Sequence, residues 1–208
     1  MLLHEIDTSK EQFLKTDREI EKWLEKMGVW QYTINNDKSV SSNGDVDLWD
    51  RDTTYIPVKF ATVNGYFATG ANVPLYSLKG CPDLVSGEFT CAFTQNLTSL
   101  DYVPSHIGGE FSCQDNKIID FHNIHKRINY IGNLLVCDSK VENILGIFFI
   151  KGLNYIHLSN ESVDRGERDD PKYKEAVEII NFHLQGDRDL HACQEKLIEA
   201  GYPQLARI

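Results

Sequence analysis

The 208-residue chain predicts an α+β fold, a short right-handed parallel β-solenoid of about five degenerate 22-residue repeats with helical caps at both ends. Three observations carry this reading. Gly65-Tyr66-Phe67-Ala68-Thr69, Gly87-Glu88-Phe89-Thr90-Cys91 and Gly109-Glu110-Phe111-Ser112-Cys113 repeat one motif, with the glycines 22 residues apart on both steps. Leu75-x-x-Leu78 recurs 22 residues on as Leu97-x-x-Leu100, and Cys81-Pro82 recurs as Val103-Pro104. Amphipathic helical patterns stand before and after this array. A fixed period in this range signals stacked units that bury their apolar faces on one another, and such a stack needs covers at its open ends.

The N-terminal cap is expected over 1–43. After a lead-in through Ile6, Thr8-Ser9-Lys10-Glu11 reads as a capping box, and Phe13, Ile20, Trp23, Leu24 and Met27 recur at helical spacing up to Gly28. The spacing predicts a helix over 9–27. Trp30, Tyr32 and Ile34 alternate with polar residues and turn at Asn36-Asp37-Lys38 into Ser39-Val40-Ser41, a hairpin.

The solenoid spans 44–158, with coils at 44–62, 63–84, 85–107, 108–128 and 129–150 and a last strand over 153–158. Each motif glycine should begin a short strand, and successive strands should stack in parallel. Residues 159–170 form a charged linker, with Asp164 to Asp170 read as exposed. The remainder, 171–208, is a C-terminal helical cap. Asp170 caps and Pro171 opens a helix with Tyr173, Ala176, Val177, Ile180 and Leu184 on one stripe, ending near Gly186. A second helix from Asp189 to Ala200 places Leu190, Cys193, Leu197 and Ile198 inside and stops at Gly201 and Pro203.

The repeat pattern resembles the leucine-rich repeat. Phe111-x-Cys113-x-x-Asn116-x-Ile118-x-x-Phe121 matches it position by position, and Val46-x-Leu48-x-x-Arg51-x-Thr53-x-x-Ile56-Pro57 matches with Arg and Thr as departures. Leu134-x-Val136-x-x-Ser139-x-Val141-x-x-Ile144 matches with Ser at the Asn position. Phe67-x-Thr69-x-x-Asn72 and Phe89-x-Cys91 run one residue longer, to Leu75 and Leu97. The likeness covers just over half the chain and implies fold rather than function. The Gly-Glu-Phe-x-Cys strands, the Leu97-Thr98-Ser99-Leu100 turn, the 145–153 stretch and the 193–198 helix also resemble repeat proteins of tailed bacteriophages. Within that group the chain looks like an accessory protein of T-even type phages, a class that includes antagonists of bacterial defence such as the anti-DarT factor.

The net charge of −10 argues against direct nucleic-acid binding, which needs clustered Lys and Arg. No apolar run reaches the length of a membrane span and the N-terminus lacks an export signal, so a cytoplasmic protein is expected, in a host bacterium if the chain is phage-encoded. Five cysteines, at 81, 91, 113, 137 and 193, are an odd number in such a chain and do not read as a disulfide framework. Cys91 and Cys113 share a register and should stack inward, where core packing outweighs a metal-binding ladder.

Asp120, His122 and His125 form a possible metal group, against the plainer reading of a solvated turn. No phosphate loop, nucleophile elbow, zinc-binding helix or dinucleotide fingerprint occurs. No catalytic residue, cofactor or resident metal is therefore expected.

The strand faces are more informative. If the motif residues Phe67, Phe89, Phe111, Leu134 and Ile144 point inward, alternation sends their neighbours outward. Asp45, Asp47 and Trp49 then share a face with Tyr66, Ala68, Glu88, Thr90, Ala92, Glu110, Ser112, Gln114, Asn133, Leu135, Tyr155 and His157. This face carries four carboxylates, no Lys or Arg, and aromatics at its ends. The expected function is non-enzymatic: a monomeric binding module that blocks a host defence or toxin protein with a basic surface, through Asp45, Asp47, Trp49, Tyr66, Glu88, Thr90, Glu110, Ser112, Gln114, Tyr155 and His157. The alternatives are a self-associating virion or assembly component, or a metal-dependent enzyme using Asp120, His122 and His125.

Overall fold

A computed structural model of the chain describes residues 12–49, 51, 54–70, 75–94, 96–160 and 169–207. It is a parallel-sheet β-solenoid of about five turns, with a helix at its N-terminal end and helices at its C-terminal end. Each interior turn contributes two short strands that meet at a corner, so strands accumulate in two lines. One line runs through β2 (Val40–Ser42), β4 (Phe60–Val63), β6 (Leu84–Val85) and β8 (His106–Ile107). The other runs through β3 (Val46–Trp49), β5 (Phe67–Gly70), β7 (Phe89–Thr90) and β9 (Phe111–Ser112). The nine-residue β10 (Tyr130–Asp138) joins the lines, pairing with β8 through Tyr130 and Ile131 and with β9 through Leu135 and Val136. On its far side β10 pairs along its length with β11 (Lys151–Ser159). At the other end β1 (Tyr32–Ile34) adds to β2 antiparallel, the expected hairpin.

The continuation of the first line through β4, β6 and β8 was not expected, and it changes the meaning of the motif glycines. They do not open strands; they form the corner between the two lines. A Cβ on Gly87 would lie 2.8 Å from the Gly65 carbonyl oxygen, and one on Gly132 would lie 1.8 Å from that of Gly108. The corners are stacked backbone on backbone, with Gly87 N–H donating to Gly65 O and Gly109 N–H to Gly87 O. A side chain has no room there.

Inside the corner the apolar pattern closes. Val63, Val85, Ile107 and Ile131 fill one column, and Phe67, Phe89, Phe111 and Leu135 fill the next, all fully buried. Ring centroids of Phe60, Phe67, Phe89 and Phe111 follow one another at 5.4, 5.8 and 5.6 Å. The fourth strand of this line is displaced by one residue from expectation: Leu135, not Leu134, pairs with Phe111 and faces inward, 24 residues on instead of 22. The extra two residues enter before β10, since Ile131 already pairs with Ile107, 24 residues back, and the intervening turn carries a 3-10 helix at Ile124–Lys126. Cys91, Cys113 and Cys137 therefore form a three-rung inward column. At the turn that follows, Asn116 plays its expected part, its side-chain amide donating to Cys113 O and accepting from Ile118 N–H at 2.8 Å. Thr94 takes the same place one coil earlier, its hydroxyl 2.6 Å from Cys91 O.

The N-terminal helix is shorter than its periodicity suggested. α1 spans Asp17–Met27, and the Leu14 N–H ahead of it donates to Pro57 O at 2.8 Å. Thr16 and Glu19 form the capping box that starts it, nearer the apolar run than Thr8–Glu11, which lie outside the described residues. Gly28, left-handed at φ 77°, ends it. Ile20, Leu24 and Met27 bury against the first coil, and Trp23 stands 6.4 Å from Phe60, ring to ring.

At the other end α2 (Lys174–Gln185) follows a 3-10 turn at Pro171–Tyr173 that Asp170 caps, as expected, and α3 (Leu190–Glu199), expected from Asp189, begins one residue later with Asp189 as its cap. Ile198 is an exception to the expected stripe, 54 % exposed on α3. α2 lies along the outer edge of β11, where an open strand would present unpaired backbone groups. The Asn181 amide supplies both partners, accepting from Ile156 N–H at 2.7 Å and donating to Ile156 O at 3.1 Å. Of the charged run expected to be exposed, Asp169 accepts from Leu158 N–H, and Asp170 is buried with its N–H on Leu158 O. Among the described residues, no helix is long and apolar enough to cross a membrane.

Candidate interaction surface

The strand registers sort the outer face into rows that cross the coils. One row carries Asp45, Tyr66, Glu88, Glu110, Leu134 and Tyr155; the next carries Asp47, Ala68, Thr90, Ser112, Val136 and His157. The third begins with Trp49 beside Gly70 and continues through Ala92 and Gln114. Leu135, expected on this face, is in the core, and Leu134 and Val136 take its place.

The middle row is low because its central residues are small or tucked in, with Ala68 and Val136 each 7 % exposed. The flanking rows lie four residues apart along each strand, about 13 Å on the usual rise. A groove of about 260 Å³ opens between them. Thr90, Ala92 and Ser112 form its floor, Glu88 and Glu110 one side, and Trp49 and Phe93 the other. Trp49 lies over the bare Gly70, whose missing Cβ would fall 2.9 Å from the indole, and meets Phe93 edge to face at 5.9 Å. Phe93 was not singled out from the sequence. It sits in the turn three residues past β7, left-handed at φ 57°, where the next coil has Asp115 at φ 52°. A bulky aromatic in that conformation is an outlier, and its ring is 42 % exposed. An aromatic standing where the neighbouring repeat has Asp was the available signal.

The structure thus brings Trp49, Glu88, Thr90, Glu110 and Ser112 into one groove. Asp45, Asp47 and Tyr66 adjoin it as a linked group: Asp45 accepts from Tyr66 N–H at 3.0 Å, and the Tyr66 hydroxyl donates to Asp47 at 3.4 Å. Partial burial, then the charges of Asp47 and Asp45, push the Tyr66 phenol up. Gln114 contributes its carbonyl to Phe93 N–H at 2.9 Å. Tyr155 and His157 belong to the far end of their rows. Tyr155 is exposed, whereas His157 is half-buried with Nδ1 3.0 Å from Asp169.

The thiols are all free and buried, and burial pushes each of them up, Cys193 to about 12. A neutral thiol in an apolar column is neither a nucleophile nor a ready ligand. Asp120 is engaged by the Asn143 amide and by His122 N–H, which hold its carboxyl below the usual range. The His125 ring packs 5.0 Å from that of Phe149. Among the described residues, no three His, Cys, Asp or Glu side chains gather in a group that could hold a metal ion. Two wider clefts, of about 460 and 380 Å³, flank Leu14 at the N-terminal cap and are lined by lysines and apolar side chains with few acids.

In comparisons with known proteins, no family model, curated protein or solved structure matched the chain.

Proposed function

We propose that this chain is a non-enzymatic binding module that docks a basic protein surface on its acidic, aromatic-sided strand face. The groove between Glu88 and Glu110 on one side and Trp49 and Phe93 on the other carries the reading. Aromatics anchor interfaces by burying area at small entropic cost, and a face bearing Asp45, Asp47, Glu88 and Glu110 steers a cationic partner. The coils beneath are rigidly packed, which suits presentation of a preformed surface. The likeness to accessory proteins of T-even phages makes a host defence or toxin protein the proposed target, blocked by steric and electrostatic competition in the bacterial cytoplasm.

Affinity purification from bacterial lysate tests this, with the wild type beside a Trp49→Ala, Glu88→Lys, Glu110→Lys triple variant. A protein held by the wild type and lost by the folded variant is the expected result. Equal retention by both places the interaction elsewhere, and retention by neither removes the reading. Self-association is the second reading, favoured by Phe182 at 75 % and Ile198 at 54 % exposure on the C-terminal helices. A sedimentation mass above 23.8 kDa that falls to that value in a Phe182→Ser, Ile198→Ser variant would support it.

A further inference from the structure

We infer that two copies of this chain associate end to end through the outer edge of β1, as an antiparallel strand pair about a twofold axis at Thr33. The two ends of the sheet are finished differently. At the C-terminal end Asn181 of α2 satisfies the Ile156 N–H and C=O on the open side of β11. At the N-terminal end Asn43 N–H donates to Gln31 O and Asn35 N–H to Ser39 O. That ladder turns the Thr33 backbone groups toward β2 and those of Tyr32 and Ile34 away from it. Among the described residues, nothing bonds to these outward groups. Natural edge strands are kept single by lysine, proline, a bulge, a charge or a cover. Gln31-Tyr32-Thr33-Ile34-Asn35 has no proline or charge, and its register with β2 is unbroken.

The occupant that fits is a second copy, because this end of the molecule is complementary to itself. α1 runs beside β1 in the opposite direction. Asp17 meets Lys38 at the hairpin tip at 2.8 Å. Partial burial, then the charges of Glu21 and Glu25, push the Tyr32 phenol up, so both carboxylates lie beside it. Ile20, Leu24 and Met27 face the first coil, which leaves Arg18, Lys22 and Glu25 exposed on the opposite side of the helix. A half-turn about Thr33 sets α1 antiparallel to its copy, with the axis level with the middle of the helix. Arg18 then lies across from Glu25 of the second copy, and Lys22 across from Glu21 of the second copy. Among the described residues, none of these four side chains is in an ion pair.

The strands agree with the helices. Under the same half-turn Tyr32 and Ile34 of the second copy exchange both their backbone hydrogen bonds, and exposed Thr33 meets its own copy in a favourable cross-strand pair. Trp30, 72 % exposed just ahead of the strand, comes opposite the turn at Asn36-Asp37-Lys38 of the second copy. There its indole is covered and an ammonium is within reach.

Sedimentation equilibrium of the full chain from roughly 10 to 500 μM tests this, the range suited to so short an interface. The wild-type mass is expected to climb from 23.8 kDa toward twice that value. Thr33→Glu sets like charges face to face at the axis, on a side chain exposed in the single copy, and should hold the mass at 23.8 kDa throughout. Arg18→Glu should weaken the dimer by about fivefold or more, and adding Glu25→Arg should restore it to within about twofold. Both changes suit the dipole of α1, acid at its start and base at its end, so the loss and the recovery do not report unfolding. The Phe182→Ser, Ile198→Ser variant should associate as the wild type does. A wild type that stays at 23.8 kDa, a dimer indifferent to Thr33→Glu, a double variant no tighter than Arg18→Glu alone, or dissociation by the Phe182 and Ile198 changes would each overturn the inference. The contact leaves the strand face of Trp49 open on both copies, so its outcome is independent of the docking reading.

Discussion

Replacing Arg188 with Met should release the C-terminal helices from the solenoid while leaving the coils folded. Arg188 sits between α2 and α3 in the left-handed conformation, φ 57°, and turns its guanidinium onto the last coil. Nε and Nη2 donate to Phe148 O at 3.3 and 2.9 Å, Nη2 also to Ile150 O at 2.9 Å, and Nη1 to Leu153 O at 2.8 Å. Two of these carbonyls lie at the C-terminal end of the 3-10 helix Ile144–Phe149, where a cation is favoured. Burial pulls the guanidinium down from its ordinary value, but it stays charged. Removing the fork strips a donor from three carbonyls of buried residues, each costing about 1 kcal/mol, with partial repair by water. The net loss should be about 2–3 kcal/mol, confined to the cap.

Hydrogen exchange measures this by region. Protection in α2, α3 and β11 should fall by one to two orders of magnitude, on the scale of about 1.4 kcal/mol per tenfold, while β5 and β7 keep theirs. Arg188→Lys should recover little, because one ammonium cannot reach all three acceptors. Arg188→Gly, relieved of the left-handed strain, should be less damaging than Met by up to about 1 kcal/mol. Unchanged protection in α2 and β11 with Met, or an equal fall in every coil, would refute the reasoning.

Thr69 occupies the register held by Cys91 in the next coil, and its hydroxyl is buried without a partner among the described residues. Thr69→Val should therefore raise stability by about 1 kcal/mol in urea titration. The buried thiols predict alkaline weakness. Their folded pKa values lie above the unfolded value of about 8.5, so their contribution is whole below that pH and is lost as pH rises toward the folded values, about 12 for Cys193, at up to 1.4 kcal/mol per unit per thiol. Chemical denaturation should show stability falling above pH 8.5 and less steeply in a Cys91→Val, Cys113→Val variant. Phe93→Asn should leave the melting temperature within a few degrees, since relief of the left-handed backbone offsets the lost contact with Trp49. The same change should weaken partner retention in the affinity assay.

Legibility followed pattern length. The 22-residue period and the inward Phe67, Phe89 and Phe111 were readable because each pattern residue recurs in a neighbouring coil and every copy meets the same environment. The caps at Gly28 and Asp170 were readable because capping is local chemistry. The line through β6 and β8 was not, since two residues per coil are too few for alternation to show. The slip at β10 was hidden for a related reason: Leu134, Leu135 and Val136 are all apolar, and a one-residue shift moves each to the other face. In the candidate site, the carboxylates and Trp49 came from alternation alone. Phe93 did not, because a left-handed turn residue three positions past the end of β7 lies outside the period-two rule.

The sequence by itself determined that this is a stacked solenoid with helical covers, because a repeat that cannot bury its apolar face alone must stack. It also determined which residues line the interior of three coils and that the outer face is acidic. The tertiary structure decided what no single repeat contains. Backbone contact across coils made the glycines corners. Asn181 and Arg188 met the edge of β11 only because α2 folds back onto it. The groove exists because Gly70 lacks a side chain beneath an indole from the coil before and beside a phenyl ring from the coil after, a distance relation that alternation within any one strand does not encode.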